Sequence, residues 1–194
     1  MKNPMLSSSV TRLLLLLVGV ALSGCVSTGP TVNYYLLTPE PGSSVAAKRN
    51  LRVGVGPVEL PEYLSRPHIL VQAGGSRVVA DKNHRWAGPL EKNFTDVLTT
   101  DIGQRLGTAD VAIYPWETPG SVDRQVVIQV TRFIASGDRV HLDARWRVLN
   151  RHGTRLQSET IALVENTDGD DYDAIVSAMS RLTGRFADRI VQAL

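Results

Sequence analysis

The sequence predicts an α+β fold: a two-layer sandwich, with two main helices packed on one face of a mostly antiparallel or mixed sheet. Three observations carry this. Segments 89–106 and 172–194 hold apolar residues at helical spacing: Leu90, Phe94, Val97, Leu98, Ile102 and Leu106 in the first, and Ile175, Met179, Leu182, Phe186 and Ile190 in the second. Segment 139–150 alternates, with Val140, Leu142, Ala144, Trp146 and Val148 on one face and His141, Asp143, Arg145 and Arg147 on the other. Such a strand belongs to a sheet with one buried face and one wet or partner-covered face. The order along the chain is strands, helix, strands, helix, with no internal repeat and no internal domain boundary.

In chain order, 34–37 (Tyr34-Tyr35-Leu36-Leu37) is a short first strand, and the Pro- and Ser-containing stretch 38–50 is a loop. Segment 51–60 reads as a strand in which Gly54 and Gly56 allow another group to approach closely. Pro61 can open one helical turn, and Ser65-Arg66-Pro67 forces extended backbone, because the residue before proline avoids the helical region. Segments 68–73 and 76–80 form a hairpin about Gly74-Gly75, followed by a loop, 81–88, that carries Trp86. Pro89 suits the first turn of a helix and Gly107 its C-terminal cap. Segment 110–114 is a short strand. Two long strands, 125–134 and 139–150, pair through Ser136-Gly137-Asp138, and Arg151-His152-Gly153 turns into a third, 155–165. A polar loop, 166–171, precedes the last helix.

The N-terminus has the three parts of a secretory signal. Lys2 and Arg12 are the basic region, residues 13–22 are an apolar run interrupted only by Gly19, and Leu22-Ser23-Gly24-Cys25 follows. Ten residues of helix span about 15 Å, half of the roughly 30 Å hydrocarbon core, which is too short for a permanent transmembrane helix. Leu22, Ser23, Gly24 and Cys25 resemble the bacterial lipobox. That chemistry needs a thiol at the cut site, because the sulfur is acylated before cleavage. The expected organisation is a signal peptide over 1–24, a lipidated tether over 25–33 beginning at Cys25, and a single domain over 34–194. Val26 stands where an Asp would resemble an inner-membrane retention signal, so the expected destination is the outer membrane.

Removing 24 of the 194 residues leaves 170, enough for one domain with a sizeable core. The removed segment holds two basic residues and no acidic one, so the mature chain keeps 21 − 2 = 19 basic residues against 19 acidic. A neutral mature chain argues against nucleic-acid binding and against a broad electrostatic hold on anionic lipid. Cys25 is the only cysteine, and once acylated it leaves no thiol for a disulfide or a Cys-containing metal site. The expected cofactor is none, apart from the covalent N-acyl diglyceride on Cys25.

Enzymatic motifs are missing. Gly54-Val55-Gly56 lacks the third glycine of a dinucleotide loop, since Glu59 stands there. The four histidines, His68, His84, His141 and His152, lie in different elements, and no Gly-x-Ser-x-Gly elbow is present. Asp168-Gly169-Asp170-Asp171-Tyr172-Asp173 departs from an EF-hand loop at Tyr172, Asp173 and Met179. Aspartates that open a helix cap its free N–H groups, and an irregular calcium site is the alternative. No catalytic residue and no metal ligand is assigned. The Arg139, His141, Asp143, Arg145, Arg147 face is either solvated or a partner surface.

Two loop-rich stretches carry unusually large side chains: Tyr63, Leu64, Arg66, Pro67 and Ile69 in one, and Arg85, Trp86, Pro89 and Leu90 in the other. Tyr63 and Trp86 either cap the core or anchor a docking edge, since Trp, Tyr and Arg are the usual interface anchors. Together with Tyr34-Tyr35-Leu36-Leu37 and the lipobox, they resemble the PqiC/YmbA family of ABC-type transport auxiliary lipoproteins. The resemblance covers nearly the whole mature chain. It implies a palmitate-bearing outer-membrane lipoprotein facing the periplasm, not an enzyme. Such a subunit would serve an MCE-type lipid transport system that maintains envelope integrity, partnered by an MCE-domain protein and its inner-membrane permease, and could form a homo-oligomeric ring. The alternative is a lipoprotein that binds or hydrolyses an envelope lipid or glycan alone, which requires a deep apolar pocket between sheet and helices.

Overall fold

The strand that organises the sheet is β6 (Arg124–Ser136), because among the described strands it alone pairs with three others. The computed structural model describes residues 31–42, 51–118 and 120–194, and Val32–Leu194 is one compact unit. The signal segment, the lipobox with Cys25, most of the tether and part of the 38–50 loop lie outside the described residues.

The described elements, in order, are β1 (Asn33–Tyr35), β2 (Val53–Glu59), a 3-10 turn (Glu62–Ser65), β3 (His68–Gln72), β4 (Val78–Trp86), α1 (Leu90–Leu106) and β5 (Val111–Ile113). Then come β6, β7 (Arg139–Asn150), β8 (Arg155–Asn166) and α2 (Tyr172–Ala193). One edge of β6 takes β2 in parallel over 124–129 and, further along, β3 in parallel at Ala135 and Ser136. The other edge takes β7 antiparallel along its whole length, and β8 pairs antiparallel with β7. β5 lies parallel on β2, β4 antiparallel on β3, and β1 parallel on β4. The result is an open, mixed, eight-stranded sheet: parallel pairs join β1 to β4, β5 to β2, and both β2 and β3 to β6, and the C-terminal meander is antiparallel.

Both helices cover the same face. All six residues of the α1 stripe and all five of the α2 stripe are buried, as are Val140, Leu142, Ala144, Trp146 and Val148 of β7. The layers meet through rings packed edge-on: Phe94 against Phe133 at 5.4 Å between centroids, and Trp146 against Phe186 at 6.4 Å. Gly107 ends α1 in the left-handed conformation, its N–H bonded back to the helix. Gly54 is required by close approach: a Cβ there would stand 2.5 Å from the Trp116 ring.

The structure differs from the sequence expectation in two places. β4 runs on to Trp86, where a loop over 81–88 is expected. Leu70 pairs with Ala80 but His68 with Arg85, so β4 bulges by three residues, and Asp81 folds back to accept from the Asn83 N–H at 2.8 Å. That bulge hides the two-residue period. β1 is Asn33–Tyr35 rather than 34–37, because Leu36 and Leu37 leave the sheet and Leu37 enters the core. Among the described residues no helix is long and apolar enough to cross a membrane.

Candidate docking surface

The two large-side-chain stretches meet in space. Pro61 opens the 3-10 turn, with the Leu64 N–H donating to the Pro61 carbonyl at 2.9 Å, and Arg66 is extended before Pro67. This aims the chain into β3, where the Pro67 carbonyl accepts from the Trp86 N–H at 2.7 Å and His68 pairs with Arg85. β1 closes on the same place, with Tyr34 beside Arg85, Tyr35 beside Trp86, and the Tyr35 carbonyl accepting from the Ala87 N–H at 2.9 Å. Three separate sequence motifs therefore form one knot at the start of α1.

Half of that knot faces inward. Leu64, Ile69, Trp86 and Leu90 are core residues, Trp86 being only 5% exposed. The side chains of these four are spent on packing within the chain. Tyr63 remains 38% exposed, and Arg66, Pro67 and Pro89 are exposed, with Arg85 intermediate. Burial pushes the Tyr63 phenol up, opposed by its contact with the Phe133 backbone and by the Arg132 charge. Arg66 makes no hydrogen bond or ion pair with another described residue.

The sheet face opposite the helices is open. Arg145 and Arg147 of β7 lie beside Gln129 and Val127 of β6. With Pro57, Glu59 and Ser158 they line a shallow groove of about 300 Å³. Further along, Asp143 stands next to Arg132, whose guanidinium donates to Gln72 Oε1 at 2.9 Å. Partial burial, and then the Arg132 charge, push the His141 imidazole down. This face presents several arginines and few acids.

Sequence reasoning missed a polar clasp on the helix side. Residues 37–40 lie across α1 and α2 and are held through their backbone. The Leu37 N–H donates to Asn93 Oδ1 at 2.7 Å, the Thr38 N–H to Ser180 Oγ at 3.1 Å and the Glu40 N–H to Asp101 Oδ1 at 2.9 Å. Arg105, 3% exposed, donates to Asp188 Oδ1 at 2.5 Å and to the Asp101 carbonyl at 3.1 Å. Asp101 has no exposure; burial raises its carboxyl to about 6, against the pull of the Glu40 N–H and of Arg105. A Cβ on Gly184 would stand 2.8 Å from that of Glu40, so the segment fits only over glycine. A spacing of four between Asp101 and Arg105 was the available signal, but such pairs are usually solvated.

The acidic loop caps a helix. Asp171 Oδ1 accepts from the Ala174 N–H at 2.8 Å at the start of α2, and Asp168 pairs with Arg181 at 3.0 Å. The histidines stay apart, His68 on β3, His84 on β4, His141 on β7 and His152 in the turn before β8. His84 is stacked on Tyr172 at 3.9 Å, with its Nδ1 2.8 Å from the Tyr35 hydroxyl.

The family model described as the ABC-type transport auxiliary lipoprotein component matches residues 34–191. A crystal structure of an uncharacterized protein is similar, with a TM-score of 0.71 at 21% identity, covering 84% of this chain and 97% of the other. A Xanthomonas campestris protein is similar with a TM-score of 0.68 at 16% identity, covering 82% of this chain and 92% of the other. At those identities the likeness establishes the fold. No curated protein is significantly similar in sequence.

Proposed function

This chain belongs to the family of ABC-type transport auxiliary lipoprotein components, and from that membership we propose that it is a non-enzymatic docking subunit on the outer membrane. It would hold the outer-membrane end of an MCE-type lipid transport system, with an MCE-domain protein as its direct partner and several copies arranged in a ring. The observation that carries this reading is the pairing of a lipobox at Cys25 with a neutral domain whose sheet face is open. The nine steps from Cys25 to Tyr34 extend to at most about 30 Å, so the domain cannot cross the periplasm and a partner must come to it.

The surface offered to that partner is the arginine-bearing face of β6 and β7 together with Tyr63, Arg66 and Pro67. Charge on such a face sets specificity and encounter rate more than affinity. A lone lipid- or glycan-binding role is disfavoured, because Phe94, Phe133, Trp146 and Phe186 fill the space between sheet and helices that its pocket would occupy. Crosslinking in intact membranes followed by purification of the chain tests the proposal: an MCE-domain protein should be recovered.

A further inference from the structure

The β3–β4 hairpin carries a steep gradient of chemistry. At its tip, beside Gly74-Gly75, Val78 is 46% exposed and Val79 45%. Behind the tip, Leu70 pairs with Ala80, and these line an open groove of about 480 Å³ with Tyr63, Arg66, His68 and Lys82. Neither Lys82 nor Arg66 has a side-chain hydrogen bond or ion pair with another described residue. Between positions 66 and 85 the basic residues Arg66, Arg77, Lys82 and Arg85 face a single acid, Asp81. A mature net charge near zero therefore conceals a local basic cluster ending in two valines.

The length of chain before β1 is enough for the anchor to reach a bilayer at this tip. β1 runs parallel to β4, with Asn33 opposite His84, so the chain enters β1 from the side on which β4 begins at Val78. Cys25 lies eight residues before Asn33. Eight residues reach at most about 29 Å, and the six steps of β4 from His84 back to Val78 span no more than about 20 Å. A lipid on Cys25 can thus enter a bilayer lying at the hairpin tip. Exposed apolar side chains backed by cations suit an anionic lipid surface, with the apolar groups at the acyl boundary and the cations among the phosphates.

We propose that the tip of the β3–β4 hairpin is a second membrane contact. Val78 and Val79 enter the headgroup boundary of the bilayer that holds Cys25, and Arg77 and Lys82 lie at its anionic phosphates. The contact rests on the acylation of Cys25 and not on any protein partner. It would stand the domain on the end of the sheet where β3 meets β6 at Ala135 and Ser136, with β5, which lies on β2 beside the 124–129 end of β6, away from the bilayer.

With Cys25 acylated, a cysteine introduced at Val78 is the one free thiol. The test uses the full lipidated chain carrying Val78→Cys or Val79→Cys, labelled with an environment-sensitive fluorophore. It is reconstituted in phosphatidylethanolamine–phosphatidylglycerol vesicles that contain a nitroxide-labelled lipid. Gln104→Cys, exposed on α1 near β5, is the control. Labels at the tip should shift to the blue and be quenched several-fold more than the label at position 104. Arg77→Glu with Lys82→Glu, or omission of phosphatidylglycerol, should reduce that quenching. Equal quenching at the tip and at position 104 would overturn the contact. Failure of the chain to float with the vesicles would overturn the anchor and the contact together, while leaving recovery of a protein partner a separate question.

Discussion

Asp101 shows how one buried carboxylate can set a pH response. Its folded pKa, raised from 3.8 to about 6 by burial, means that the folded state holds a proton that the unfolded chain releases. Its stabilising effect is therefore complete below 3.8 and lost as pH rises through about 6. Asp123 acts in the opposite sense. Hydrogen bonds from Arg151 and then Arg52 hold its carboxyl well below the usual range, and its contribution is lost only as pH falls below the ordinary carboxylate range. Asp101→Asn keeps an oxygen for the Glu40 N–H and removes the titration. Thermal melts of wild type and variant should then diverge with pH: the wild type gains on the order of 1–3 kcal/mol relative to Asp101→Asn between pH 7 and pH 4. Parallel profiles would show that Asp101 is not buried as described. Trp86 separates packing from docking in the same way. Trp86→Ala should cost about 3–5 kcal/mol of stability by denaturant titration. Trp86→Phe should lower the melting temperature while leaving partner recovery intact at low temperature, an outcome incompatible with a direct contact role for the indole.

Elements differ in how plainly the sequence announces them. The stripes of α1 and α2 and the alternation of β7 are legible because each element has one buried face, so burial and sequence period coincide. The end of β4 is illegible because three extra residues break the period where Lys82, Asn83 and His84 are polar. The clasp on residues 37–40 is illegible for another reason: Asn93, Asp101 and Ser180 bind backbone atoms from 56 to 142 positions away, and no local pattern encodes that. The acidic run before α2 is legible as a cap, and its strength can be measured. Asp171→Ala should destabilise the domain by about 1 kcal/mol, and Asp171→Asn should restore most of that. Loss of stability only on adding a chelator would point to a bound cation instead.

At the scale of the whole molecule, the candidate site was half legible. The sequence motifs identify residues that the fold does bring together, at the Pro67–Trp86 hydrogen bond and the pairing of β1 with β4. Sequence alone does not sort those residues into core and surface, because Tyr63 and Trp86 have the same interface chemistry and differ only in which way the backbone turns them. Sorted by burial, the motif becomes a rigid corner that presents Tyr63 and Arg66 next to an open, arginine-bearing sheet face. On the proposed reading, a neutral domain on a short lipidated tether would have two surfaces to use, one toward its membrane and one toward whatever crosses the periplasm. The most direct measurement places a photoreactive residue at Arg145, and separately at Gln104, in the full-length chain in living cells. Irradiation at position 145 should yield a covalent adduct with an MCE-domain protein, and irradiation at position 104 should not. Adducts with no MCE-domain protein at position 145, in cells where that protein is present, would contradict the docking role.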